Sequence, residues 1–406
     1  MDLRSPSAVS VIAAHRRRSL TRTKRRRGRE RRPRSMTTPH GLLVLVAATA
    51  LAAGCSNFRG NDGGSSLRPM TDPLRWAPHE GLALPVPRRY PSVTPVPGGA
   101  IVFGGIGASG PMGEAWRWDG ARWQSLSGEG VPTGRIHHAA AWTGGELCIW
   151  GGEARGESLD DGACLNPSTD RWRPIGEVPL SARGAMASAS NGREWILWGG
   201  RDADGNDLAD GARYDTSTRR WTALPDGGPR ARHGASTAVS PDGSRVLLWG
   251  GSGEALALGS EDAFVLELPT SRWIAVDLEG APPARSGPVA VEVPSGLVAV
   301  GGEVASIFEW STGRWRRLDP PPFSSRWGVT AVSAPTGVLL WGGRDETRVH
   351  DDGAVLDLAS GRWTLLSPGE TPGPRMDAVA IADAHQVLLL WGSNGEALLS
   401  EAFTLR

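Results

Sequence analysis

The chain has 406 residues, with 55 Gly, 31 Pro, 18 Trp and a single lysine, Lys24. Its formal charge of +1 hides an asymmetry: residues 1–40 carry 13 Lys/Arg against 2 Asp/Glu, which leaves 31 basic and 41 acidic side chains beyond them. A body that acidic argues against nucleic acid as a partner, because phosphate neutralisation needs clustered positive charge.

Residues 42–53 form an unbroken run of apolar and small side chains. The run is too short for a helix that spans a bilayer and has the length of a signal-peptide core. It ends Leu51-Ala52-Ala53-Gly54-Cys55, which resembles a bacterial lipobox, departing from it at Ala52, where Leu is usual. That resemblance implies lipid attachment at Cys55, an exported protein and a membrane as partner through the anchor. Ser56 in the next position implies the outer membrane by the proteobacterial sorting pattern. The alternative is an ordinary secretory signal with an incidental cysteine. Ahead of it, Arg16-Arg17-Arg18 and Arg25-Arg26-Arg27 make an unusually long basic leader. It reads as an extended n-region, or as upstream sequence with Met36 the true start. Residues 1–54 are thus leader and signal, and residues 55–72, rich in Gly, Ser, Asn and Asp, a flexible tether.

From residue 73 to residue 406 the chain repeats. Seven glycine marks occur: Gly104-Gly105, Gly151-Gly152, Gly199-Gly200, Gly250-Gly251, Gly301-Gly302, Gly342-Gly343 and a degenerate Gly392-Ser393. Each follows a short apolar run that reads as a buried strand. A second series is Arg-Trp, ending at Trp76, Trp123, Trp172, Trp221, Trp273, Trp315 and Trp363. A third is an arginine that opens the segment before each apolar run: Arg89, Arg135, Arg183, Arg232, Arg285, Arg326 and Arg375. One unit is therefore a small-residue strand, an apolar strand, Gly-Gly, a loop, a third strand and an Arg-Trp strand, in about 50 residues.

This pattern resembles the Kelch repeat, and the galactose oxidase central domain in particular. The resemblance implies an all-β fold: a seven-bladed Kelch-type β-propeller of four-stranded antiparallel blades. The first Arg-Trp has no strands before it, and the last unit has three strands and no Arg-Trp. The N-terminal strand around Trp76 is therefore expected to close the last blade, leaving no free edge at the join. The fifth unit passes from Gly302 through Glu303 straight into its third strand, so a low notch is expected there.

Cys148 and Cys164 fall in the second and third strands of one unit. In an exported protein a disulfide is expected, with two buried free thiols the alternative. Catalytic signatures are weak. The copper chemistry of galactose oxidase needs converging tyrosine and histidine ligands, and only Tyr90, Tyr214, His137, His138 and His233 stand out. The stretch from Asp202 to Asp207 lacks the spacing of a calcium loop. No metal, no cofactor and no catalytic residues are expected. The arginine series, Arg135, Arg183, Arg232, Arg285, Arg326 and Arg375, supplies the candidate ligand-binding residues, with structural ion pairing as the alternative. The reading is a non-enzymatic, envelope-anchored module that holds a protein, peptide or glycan on one face. The alternative is a propeller enzyme of sialidase, lyase or oxidase type with its site at the channel mouth.

Overall fold

The computed structural model describes residues 74–79, 83–126, 128–253, 260, 262–283, 289–335, 337–366 and 371–406. The leader, the tether, Cys55 and Arg285 lie outside them.

Seven four-stranded antiparallel sheets follow one another round a seven-bladed β-propeller. Blade 3 shows the pattern: Ala187–Ser190, Glu194–Trp198, Gly211–Asp215 and Arg220–Ala223, paired in that order. The first strands carry small side chains, and the second strands are almost wholly buried. The loops joining second to third strands share one face, here called upper, with the start of every first strand.

Blade 7 takes three strands from the C-terminus and its fourth, Trp76–Pro78, from the N-terminus. Trp76 lies opposite Leu405 in the last strand, Ala402–Leu405. The chain therefore enters the propeller at the lower rim. In blade 5, Gly301 pairs directly with Val304, which confirms the expected notch.

The indoles work mainly between blades. Trp172 packs on Phe103 of the preceding blade at 5.3 Å between ring centroids, and Trp315 on Trp249 at 5.6 Å. Across the join, Trp76 meets Trp341 at 5.0 Å and Trp123 meets Trp391 at 6.5 Å. Burial is deepest for the indoles that end second strands, such as Trp150, Trp249 and Trp341. Of the Arg-Trp series only Trp76, Trp172 and Trp315 are buried; the others are half-buried.

The glycine pairs are joints between blades. The second glycine donates to the carbonyl of the next blade's buried arginine: Gly105 N to Arg135 O at 2.9 Å and Gly152 N to Arg183 O at 2.8 Å. The first has φ near +70° at Gly104, Gly151, Gly199, Gly250 and Gly342, Gly301 being in a strand instead, and a Cβ on Gly199 would stand 2.6 Å from Arg232 O. Both the backbone angle and the close approach require glycine. In blade 7 the mark sits one residue earlier than expected. Trp391 takes the first glycine's place at φ 55°, and Gly392 the second. The approaching backbone there tolerates an indole because Trp391 is fully buried against Trp123 and beneath the Arg88 guanidinium.

Cys148 and Cys164 lie directly opposite each other on adjacent strands of blade 2 and are joined by a disulfide.

Glu292, in the first strand of blade 5, is buried, and its Oε1 accepts a bond from Val239 N of blade 4 at 2.7 Å. Burial pushes its carboxyl up to about 8. The folded state thus holds a proton that the unfolded carboxyl loses near its ordinary 4.5. Between those values the folded state binds more protons, so stability falls as pH rises. Glu292→Gln is expected to remove that decline: its melting temperature should drop less than wild type's between about pH 5 and about pH 8. An equal drop in both proteins would contradict the assignment.

Candidate functional site

The arginine series forms a buried ring under the upper face. Its members are Arg88, Arg135, Arg183, Arg232, Arg326 and Arg375. In blade 1 the position belongs to Arg88, not Arg89. The Pro-Arg-Arg-Tyr stretch offers two candidates, and the backbone register buries the first.

Each ring arginine bonds its own blade. Arg183 Nε donates to Ser181 O at 2.9 Å, Nη1 to Gly199 O at 3.3 Å, and both terminal nitrogens to Asp210 at 2.6 and 3.0 Å. Arg135 meets Asp161, Arg232 meets Asp262, and Arg326 meets Asp352 in the same way. The bond from Arg326 holds the Asp352 carboxyl below its usual range. Arg375 has no such carboxylate, and burial lowers its guanidinium to about 10. The ring thus sets the upper ends of the second strands, and most of its donors already have partners, Arg326 Nε being an exception.

What faces the axis comes from the residues that follow the ring. Two positions after each buried arginine the chain takes a left-handed turn: Tyr90, His137, Ala185, Gly234, Gly328 and Asp377 all have φ between 53° and 68°. For a residue with a Cβ this costs about 1–2 kcal/mol. These turns bond to one another from blade to blade. Ala185 N donates to His137 O at 2.8 Å, Gly234 N to Ala185 O at 2.7 Å, and Asp377 N to Gly328 O at 2.8 Å. The result is a hydrogen-bonded collar at the mouth of the axial channel.

Polar side chains stand on this collar in linked pairs. Arg89 Nη2 donates to Asp377 Oδ2 at 2.6 Å and also to the Tyr90 hydroxyl. Burial, reinforced by the Asp377 charge, pushes the Tyr90 phenol up to about 12, so it stays protonated. The Tyr90 and His137 rings are 5.6 Å apart. His137 Nδ1 lies 3.1 Å from Glu153 Oε1, and the bond holds the Glu153 carboxyl below its usual range. His233 Nδ1 lies 2.7 Å from Asp207 Oδ1, and Arg201 Nε donates to the same oxygen at 3.1 Å. Burial lowers the His233 pKa, with the Asp207 bond opposing. In blade 6, Trp327 is 38% exposed and Arg344 lies over its ring, 5.5 Å from the centroid.

His137 and His233 therefore sit at the mouth, whereas His138 is buried against Ser92 Oγ at 2.8 Å, its imidazole pushed down to about 3 by burial. Asp202 caps its own loop, accepting from Asp204 N and Asn206 N. Arg89, Tyr90, Glu153, Arg201, Trp327, Arg344 and Asp377 escaped the sequence reading as a group. They fall at three kinds of position, after the buried arginine, two residues after it and after the glycine pair, and vary in type from blade to blade, so no repeat marks them. Among the described residues, one group combines three metal-capable side chains, Glu146, Cys148 and Cys164. Its two sulfurs are bonded to each other and are not thiolates.

No family model matches the chain. It is similar to putative adagio-like protein 2 of rice, at 29% identity over 65% of this chain and 46% of that protein. It also resembles adagio-like protein 3 of rice, at 26% over 68% of this chain and 49% of that protein, and acyl-CoA-binding domain-containing protein 5 of Arabidopsis thaliana, at 27% over 42% and 29%. The chain spans about half the length, or less, of the curated relatives it matches.

Proposed function

We propose that this Kelch-type propeller is a non-enzymatic binding module of the cell envelope, with its ligand held at the upper axial mouth. One observation carries the reading: three hydrogen-bonded side-chain pairs, Arg89–Asp377, His137–Glu153 and His233–Asp207, stand on the collar, each with one part-exposed member. Function concentrates on such loop and turn positions held by a rigid frame. The ring arginines then act as structural ion pairs within their own blades. The test is capture from envelope extract with a soluble form that begins at Ser56. Glu153→Gln, at a part-exposed carboxylate, should lose the captured ligand while keeping the wild-type melting temperature, and Asp377→Asn should lose it with a lower melting temperature, because Asp377 is buried and paired with Arg89. Capture that survives both changes would overturn the mouth as the site. Asn is chosen because it tolerates the left-handed angle at position 377.

Catalysis at the same mouth is the second reading, favoured by the His137–Glu153 and His233–Asp207 pairs. Imidazoles oriented by carboxylates are the usual general bases. Chemical change in the captured ligand, abolished by His137→Gln, would decide for it.

We further propose that Cys55 carries the lipid. The first described strand starts at the lower rim, the face opposite the mouth. Labelling cells with an alkyne fatty acid should tag the protein, and Cys55→Ser should remove the tag. An equally tagged Cys55→Ser variant would contradict the anchor.

A further inference from the structure

We infer that the mouth takes a glycan: a neutral, hydroxyl-rich chain with one sugar stacked on Trp327. The inference rests on the mouth being the binding site and names its ligand class.

Charge comes first. At the mouth the guanidiniums of Arg89, Arg201 and Arg344 stand among the carboxylates of Asp377, Asp207, Glu153 and Asp345, so both signs are present. Arg89 and Arg201 are already paired, at 2.6 and 3.1 Å. An anionic ligand would meet the fixed carboxylates, and a cationic one the guanidiniums. A neutral ligand meets neither penalty. The part-exposed members of these pairs, Arg89, Arg201 and Glu153, still offer it N–H groups and a carboxylate oxygen. A hydroxyl both donates and accepts, so alternating donors and acceptors suit it better than a carboxylate, which only accepts.

The histidines point the same way. A carboxylate accepts only, so the proton in the His137–Glu153 contact lies on Nδ1, and likewise in His233–Asp207. In the neutral ring Nε2 is then an acceptor. His137 Nε2 is covered and has no hydrogen-bond partner, although its side chain is only 10% exposed. An O–H from a sugar satisfies this atom, whereas a carboxylate repels it.

Trp327 supplies the apolar half. It is the only aromatic among the exposed large hydrophobic side chains of the described residues. Its neighbour Gly328 bonds to Asp377, so the indole continues the polar arc rather than standing apart from it. A pyranose has a flat C–H face and a hydroxyl rim, matching an indole beside paired polar groups.

The experiment applies the soluble propeller to an array of neutral glycans, uronate oligosaccharides and acidic peptides, and measures affinity for the best binder. Retention on neutral glycans is expected, with Trp327→Ala weakening binding about tenfold, the scale of one lost ring contact. Glu153→Gln should weaken it comparably, and the melting temperature of both should be unchanged. Preference for uronates or acidic peptides, lost on Arg89→Gln, would overturn the glycan class while leaving the mouth as the site. Glycan binding untouched by Trp327→Ala and Glu153→Gln alike would overturn the placement, and retention on none of the array would overturn the inference itself.

Discussion

Trp76→Ala is expected to destabilise the propeller by about 3–5 kcal/mol, the cost of emptying a large buried aromatic site. At roughly 2 °C per kcal/mol for a domain of this size, the melting temperature should fall by about 6–10 °C. The effect is large because Trp76 belongs to the single strand that closes the ring. It is 7% exposed and packs on Trp341 of blade 6, while its strand pairs with the C-terminal strand of blade 7. Losing the indole therefore weakens two contacts at once, the seam between blades and the joining of the chain's ends. Trp363, the half-buried counterpart in blade 6, makes no such closure, and Trp363→Ala should cost less. Differential scanning calorimetry of the two variants gives the comparison. Equal or negligible shifts would mean that the propeller does not depend on its N-terminal strand.

Arg232→Met should cost about 3 kcal/mol, the low end for a broken buried ion pair. Arg232 is fully buried, and its guanidinium bonds Arg230 O, Gly250 O and Asp262. Methionine fills much of the space but leaves two carbonyls without this donor and the Asp262 carboxylate with only the Ser260 hydroxyl. The Asp262 side chain is 34% exposed, so water recovers part of the loss. Arg375→Met should cost less, because Arg375 lacks a bonded carboxylate. Ligand affinity, measured well below the melting temperature, should be the same in both variants as in wild type. If affinity vanishes and melting does not move, the ring itself binds the ligand and the structural role is wrong.

The repeat was legible because each mark answers a physical demand that recurs in every blade. Gly199 and Gly200 are needed where the chain turns left-handed against Arg232 of the next blade. Trp249 and Trp315 are needed where two blades pack. Seven such demands spaced about 50 residues apart leave little freedom, and the closure by Trp76 follows from counting them. Registers failed where a local sequence met the demand in two ways. Arg88 and Arg89 are adjacent, and only burial separates them. Trp391 stands where a glycine is the rule, because its packing on Trp123 and Arg88 compensates the backbone angle.

The mouth was not legible for the opposite reason. Tyr90, His137 and Asp377 share a backbone position and a left-handed angle but no chemistry, so spacing cannot group them. Their proximity comes from ring closure, which brings residue 89 within a hydrogen bond of residue 377. His137 and His233 were noticed as rare residue types, but their carboxylate partners, Glu153 and Asp207, sit in loops of differing length and shape.

The most direct test of the mouth as the binding site is a site-specific cross-link. A photoreactive diazirine side chain is placed at Glu157, exposed on the upper loops of blade 2, and separately at Arg220, exposed at the lower end of blade 3. Each protein is irradiated in envelope extract. The ligand should be trapped at position 157 and not at position 220, and trapping should disappear when Asp377→Asn is added. Trapping at position 220 alone, or trapping at position 157 that is indifferent to Asp377→Asn, would place the ligand elsewhere.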